Sequence, residues 1–211
     1  MKKIILNLSL LLILLGFTKN LIADKSDIEE ANKAYKDGYY SRAIDLYTKV
    51  LSLNPNYLPA YYARASSFLK SQEYLKAMND YSKVLEKNSD DFPSLLGRAI
   101  ALRNLEKYND ALRDLNKALR LDSSSYEAYY ERGNIYYHLE KDELAIKDYS
   151  TCLNLRPDYD LAFYGRAVIY YYQKQKQLSI KDFETFLSMH KVQDTLTSEA
   201  QRILKYLKEE D

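Results

Sequence analysis

The sequence has no tryptophan, one cysteine, two histidines, and only five glycines and four prolines in 211 residues. Each shortage excludes something. A single cysteine, Cys152, cannot build an internal disulfide framework. So few glycines and prolines argue against an all-β chain folded on many tight turns. His138 and His190 have no partner at metal-ligand spacing, and no glycine-rich phosphate loop, HExxH motif or nucleophile elbow occurs. No metal, cofactor or catalytic residue is expected, and the chain does not read as an enzyme. A basic excess is missing too. Formal net charge is +1, and three of the 31 basic residues, Lys2, Lys3 and Lys19, fall in the first 23 positions, which hold no acidic residue. The remainder has 28 basic residues against 30 acidic ones, with no cationic surplus to grip a nucleic-acid backbone.

What is abundant is tyrosine, with 22 copies. Tyrosine is amphipathic, so the excess points to many half-buried positions, as on a thin array or a binding face.

The first segment reads as a targeting signal, residues 1–23. Lys2 and Lys3 open it, and Ile4 to Phe17 is an apolar run broken only by Asn7, Ser9 and Gly16. That is short for a membrane span and fits a secretory signal, with Ala23 before Asp24 as the cleavage point. An uncleaved tether is the alternative, since Leu21 is large for its place. No cysteine follows for lipid attachment. The expectation is an exported protein of the periplasm or cell envelope of a bacterium, touching membrane only through this segment.

From Ser26, whose spacing to Glu29 is that of a capping box, apolar residues recur at helical spacing almost to the end. Ala43, Ala77, Ala111 and Ala145 stand thirty-four apart, with Ser179 in the fifth place. Each opens the same kind of segment, as in Ala77-Met78-x-x-Tyr81-x-x-Val84-Leu85. Tyr61, Leu95, Tyr129 and Phe163 precede small residues by four places: Ala65, Ala99, Gly133 and Ala167. Breakers such as Asn54-Pro55-Asn56 and Arg156-Pro157-Asp158 close the units.

This period, with two helices per unit, resembles the tetratricopeptide repeat. The resemblance covers residues 24–193 as five units (24–57, 58–91, 92–125, 126–159 and 160–193), with residues 194–211 as a capping helix. It implies an all-α solenoid of helix-turn-helix hairpins in a right-handed superhelix. Ala200, Ile203, Leu204 and Leu207 form the cap's apolar stripe. Three departures stand out. Asp27 takes the place of a large residue, so the first helix is expected to fray. Asp142 replaces the turn tyrosine supplied by Tyr40, Tyr74 and Tyr108. Unit five lacks both the alanine and the proline.

Two constellations follow. Arg64, Arg98, Arg132 and Arg166 each precede an aspartate by sixteen: Asp80, Asp114, Asp148 and Asp182. Unit one lacks both members, having Glu30 and Leu46. Joint presence and joint absence favour an ion pair inside each hairpin over a row gripping an acidic ligand. The second is the stripe of the first helices, which in the resembling family lines a concave groove. Its candidates are Tyr35, Tyr62, Leu69, Leu96, Ile100, Tyr130, Asn134, Tyr137, His138, Tyr164, Val168 and Tyr171. Ala63, Gly97 and Gly165 leave room between them, and the bland alternative is that the tyrosines only pack. A clamp for chaperone C-termini is disfavoured: Asn32 matches, but Ala63, Pro93 and Gly97 occupy the other key places. The expected role is a non-catalytic scaffold or adaptor that binds a segment or helix of another protein. The alternatives are an accessory protein holding a small apolar ligand or lipid, and a self-assembling structural protein.

Overall fold

A computed structural model of the chain describes residues 25–209. The targeting segment, residues 1–23, lies outside them. Every regular element among the described residues is a helix. Helix α1 runs through residues 25–36, followed by α2 (Tyr40–Leu53), α3 (Leu58–Lys70), α4 (Tyr74–Lys87), α5 (Phe92–Asn104) and α6 (Tyr108–Leu121). Then come α7 (Tyr126–His138), α8 (Asp142–Leu155), α9 (Asp160–Tyr172), α10 (Lys176–Met189) and α11 (Thr195–Glu209). No helix among the described residues is long and apolar enough to cross a membrane.

Two compact units divide between Leu105 and Glu106, the first carrying α1–α5 and the second α6–α11. Within the first, α2 packs on α3, α3 on α4 and α5, and α4 on α5. Within the second, consecutive helices pack from α6 to α11, and α7 also meets α9.

The closest approaches sit at the repeated small residues. Ala43, Ala65, Ala77, Ala99, Ala111, Ala145 and Ala167 are fully buried. Ser179, in the fifth alanine place, is buried as well, and its hydroxyl donates to the Ala167 carbonyl at 3.0 Å. A hydroxyl bonded in this way is tolerated where an unpaired one would be costly.

A signal absent from the sequence reading marks the hairpin turns. Gly38, Gln72, Glu106, Glu140 and Lys174, thirty-four apart, all adopt positive φ, from 55° to 82°. At the first turn the Gly38 amide donates to the Tyr35 carbonyl and the Tyr39 amide to that of Ala34. The same pair of bonds closes the turns at Gln72, Glu140 and Lys174. This is the left-handed helix stop that satisfies orphan carbonyls, usually with glycine. Only the first unit uses glycine.

Two expectations at α1 are corrected. Residue 25 is already helical, so Ser26 lies inside the helix rather than at its cap. Asp27 does not loosen the helix. It is buried and reached by Lys49 Nζ at 2.9 Å, which ties α1 to α2. A charge with a partner replaces the missing apolar contact.

Candidate functional site

The arginine ladder is committed to the fold. Arg64 donates from Nε and Nη2 to Asp80 at 2.7 and 2.9 Å, and from Nη1 to Thr48 at 3.0 Å. Arg132 binds Asp148 at 2.6 and 2.9 Å and Asn116 at 2.8 Å. Arg166 binds Asp182 at 2.7 and 3.0 Å and Ser150 at 2.8 Å. Each of these guanidiniums also lies over aromatic rings, Tyr129 and Tyr136 in the case of Arg132. The Asp148 hydrogen bond raises the Arg132 pKa above its ordinary value. Arg98 donates to Ser82 at 3.1 Å, and Asp114 belongs to the other unit. The pairing is therefore broader than a brace inside one hairpin. Each arginine reaches sixteen residues back, and Arg64, Arg132 and Arg166 also reach sixteen forward, so they clamp their own hairpins to the preceding ones. Bidentate, largely desolvated pairs of this kind fix geometry.

A second rule involves tyrosines of the second helices. The Tyr47 hydroxyl donates to Asn32 Oδ1 at 2.7 Å, and the Tyr149 hydroxyl to Asn134 Oδ1 at 2.8 Å. Tyr81 and Ser66 hydroxyls lie 3.0 Å apart. Burial pushes the Tyr47 phenol up to about 12 and raises that of Tyr81 as well. Where the tyrosine is replaced by Leu115 or Phe183, the residue fifteen earlier is Ile100 or Val168, neither of which can bond. Sixteen residues after each tyrosine stands a small residue: Ala63, Gly97 and Gly165. After Leu115 and Phe183 the same place holds Glu131 and Glu199. The structure gives the reason. A Cβ on Gly97 would come within 2.3 Å of the Tyr81 ring, and one on Gly165 within 2.8 Å of the Tyr149 ring. Gly97 and Gly165 leave room for the chain's own tyrosines. That corrects the reading in which they open space in a groove.

The stripe candidates divide accordingly. In the first unit Tyr62 is the most open, meeting Tyr81 edge-on at 5.8 Å. Tyr35 packs on Tyr40 at 5.6 Å, and Leu69, Leu96 and Ile100 belong to the same stripe, all three half-buried. In the second unit Tyr130 is wedged between Tyr149 and Tyr159, and Asn134 is taken up by Tyr149. Tyr164 packs on Phe183 and Phe186, and its hydroxyl donates to Glu199 at 2.7 Å. Val168 joins the same cluster as Ile203. Exposed His138 stacks on Tyr108 and touches Tyr137, while Tyr171 meets Tyr172 and Tyr206. The second unit thus holds separate ring sets, Tyr137 with His138, Tyr164 with Phe183 and Phe186, and Tyr171 with Tyr172 and Tyr206, and it spends Asn134 and Tyr130 on packing.

Cys152 is buried, and desolvation pushes its thiol up to about 12, so it is inert at neutral pH. No group of three His, Cys, Asp or Glu among the described residues could hold a metal ion. His190 has partners that sequence spacing concealed. Its Nδ1 lies 2.6 Å from Asp160, its Nε2 3.1 Å from Asp194, and its ring stacks on Phe186 at 4.7 Å. The Asp160 hydrogen bond, then that of Asp194, raises its pKa.

The tetratricopeptide repeat pattern matches residues 28–92 and 96–158, more than half of the chain. The chain belongs to the tetratricopeptide repeat family. No curated protein sequence matches it. Solved tetratricopeptide structures share the fold. A Pseudomonas aeruginosa pilF structure is 17% identical with a TM-score of 0.72, covering 90% of each chain. TTC0263, a thermophilic tetratricopeptide protein of Thermus thermophilus, is 18% identical with a TM-score of 0.70, covering 86% of this chain and 99% of its own. YrrB, described as a tetratricopeptide protein with an unusual peptide-binding site, is 21% identical with a TM-score of 0.64, covering 83% and 90%. Against this family background Tyr149 with Asn134 and Gly165 is a packing set. Tyr137 and Tyr171 pack in part against the cores around Tyr149 and Phe183, and His138 and Tyr172 beside them stay exposed.

Proposed function

We propose that the protein is a non-catalytic scaffold or adaptor of a bacterial cell envelope, exported by its first 23 residues, which holds a segment of another protein on the inner face of its first helices. The observation that carries this reading is the set of half-open aromatic residues the fold does not consume. Tyr62, His138 and Tyr172 remain exposed while the hairpin seams are closed by alanine and by the clamped arginines. Tyrosine offers large contact area at small entropic cost, with a hydroxyl for backbone groups. The peptide-binding site ascribed to YrrB, a fold relative, supports the same class of partner. The second reading, a held lipid or small apolar ligand, fits less well. The cavity of about 510 Å³ in the first unit lies at the Arg64–Asp80 pair, lined also by Ile44, Phe68, Glu73 and Lys76, and not at the tyrosine stripe where such a ligand would sit.

The test is a photo-reactive side chain at Tyr62 or Tyr172 in cells making the full chain, with Lys147 on a second helix as control. The same polypeptide trapped from both positions, and not from Lys147, is the expected result. Equal trapping from all three, or trapping from none, overturns the proposal. A small molecule retained in native mass spectrometry of the purified protein would favour the second reading. Recovery of the protein with the cytoplasmic fraction would overturn the assignment to the envelope.

A further inference from the structure

One end of the second unit's inner face is built differently from the rest of the chain. The last place of each first helix holds Lys36, Lys70 and Asn104 in the first unit, but His138 and Tyr172 in the second. Tyr172 is 68% exposed and Tyr206 49%. Rings run from Tyr108 through His138 to Tyr137, and from Tyr172 through Tyr171 to Tyr206. Gln173, next to Tyr172, donates to Asp142 at the start of α8, and α7 packs on α9, so the two runs lie at the same end of the unit.

Two carboxylates flank the junction. Asp142, at the start of α8, is the residue that breaks the repeat's turn-tyrosine rule. Glu199, on α11, stands in the place that is small wherever a tyrosine must fit. Asp142 accepts a long hydrogen bond from Gln173 Nε2 at 3.4 Å, and Glu199 accepts one from Tyr164 at 2.7 Å. Both are half-buried, and their charges add to the burial that chiefly raises the Tyr137 pKa. Neither forms an ion pair among the described residues, whereas the more deeply buried carboxylates Asp27, Asp80, Asp148 and Asp182 do. Half-desolvated anions beside open ring faces attract a cation by charge and by the ring quadrupole. An anionic or purely apolar partner would meet two charges it could not pair.

We propose that this patch, formed by Tyr137, Tyr171, Tyr172 and Tyr206 with Asp142 and Glu199, receives an arginine or lysine side chain from a basic segment of the protein partner. The proposal rests on the inner face binding polypeptide and adds the partner's charge to that reading.

The experiment uses the full chain and three capped Gly-Ser peptides carrying three arginines, three glutamines or three glutamates. Binding is followed by amide shifts in NMR spectra. The arginine peptide is expected to give saturable shifts around residues 137–142, 171–173 and 199–206. The glutamine and glutamate peptides should bind about tenfold more weakly or worse, the scale of about one ring–cation contact. Asp142→Asn combined with Glu199→Gln should remove that preference while leaving the rest of the spectrum in place. An arginine peptide no tighter than the glutamine one, shifts centred elsewhere, or an unaffected double variant would overturn the proposal. The two failures are separable. A polypeptide cross-linked at Tyr172 through an acidic or apolar segment removes the charge assignment and keeps the binding face. Absence of any cross-linked polypeptide removes the binding face itself.

Discussion

Glycine to alanine in the middle of a helix ordinarily stabilises by about 1 kcal/mol, through backbone entropy and helix propensity. Gly165, in the middle of α9, should do the reverse. A Cβ there would sit 2.8 Å from Tyr149 Cζ and 3.0 Å from its hydroxyl oxygen. The ring has little room to retreat, because its other edge already fills the space of the missing Gly133 side chain, and the hydroxyl is tethered to Asn134. Overpacking of this kind costs about 1–3 kcal/mol, so the net effect of Gly165→Ala after the propensity gain of about 1 kcal/mol is a loss of about 0–2 kcal/mol, centred near 1. The decisive comparison is a second background, Asn134→Ile with Tyr149→Leu, which copies the pair Ile100 and Leu115 of unit three. With a leucine in place of the ring, the same Gly165→Ala change should stabilise by about 1 kcal/mol. The coupling between sites is then about 2 kcal/mol, or a relative shift of about 4–8 °C in melting midpoint at about 2–4 °C per kcal/mol. The assay is thermal and urea unfolding by circular dichroism for all four chains. Hydrogen exchange of α7–α9 should accompany it, since repeat arrays can open locally. If Gly165→Ala raises the midpoint equally in both backgrounds, the ring does not fill the glycine's space and the packing rule fails.

Other consequences follow from the same contacts. Removing one partner of the Arg132–Asp148 pair strands a largely buried charge. Arg132→Met or Asp148→Leu alone should therefore cost about 3–5 kcal/mol, and the double variant clearly less than the sum, as read in a double-mutant cycle. Independent additive losses would disprove the coupling. His190 has a raised folded pKa, so its contribution is complete below the unfolded value of about 6.5 and is lost as pH rises through the folded value. Exchange protection of α11 should accordingly fall on going from pH 6 to pH 8, and His190→Gln should flatten that dependence. A protein with unchanged α11 protection across that range would contradict it. Glu140→Gly or Lys174→Gly relieves a left-handed residue. Each should raise stability by a few tenths to about 1 kcal/mol, because the left-handed cost of about 1–2 kcal/mol exceeds glycine's entropy penalty. A lower unfolding midpoint in either variant would count against this.

The hairpins were legible because their small residues recur with a strict period and two helices cannot pack closely without them. Ala43, Ala77, Ala111 and Ala145 announce themselves by identity. The arginine–aspartate spacing of sixteen was equally plain. Its backward reach was not, because Thr48, Ser82, Asn116 and Ser150 share only the ability to accept a hydrogen bond. The left-handed turn residues were hidden for the opposite reason. Gln72, Glu106, Glu140 and Lys174 are of types that announce no turn, and only backbone dihedrals expose what they share with Gly38. His190 was illegible because its partners are thirty residues before it and four after it, a spacing that no single helix or motif produces.

The tyrosines are where sequence alone was least able to separate structure from function. Tyr47, Tyr81 and Tyr149 look like Tyr62, Tyr137 and Tyr172, yet the first three are buried with bonded hydroxyls, and Tyr62 and Tyr172 are open. The distinction becomes readable once the fold supplies the rule: a packing tyrosine brings a polar residue fifteen before it and a small one sixteen after it. Tyr137 and Tyr172 do not meet it. Fifteen residues before Tyr172 stands Pro157, and sixteen after it Ser188, which is exposed. Fifteen before Tyr137 stands Asp122, also exposed, and sixteen after it Leu153, which is buried but not small. Tyr137 instead packs part of its ring on the core around Tyr149 and Leu153, and Tyr172 stays exposed. What does surround them is Asp142 and Glu199, two anions with no cation paired to them among the described residues. On the proposal above, this patch of exposed ring beside two half-buried carboxylates is the face that a positively charged side chain of the partner completes.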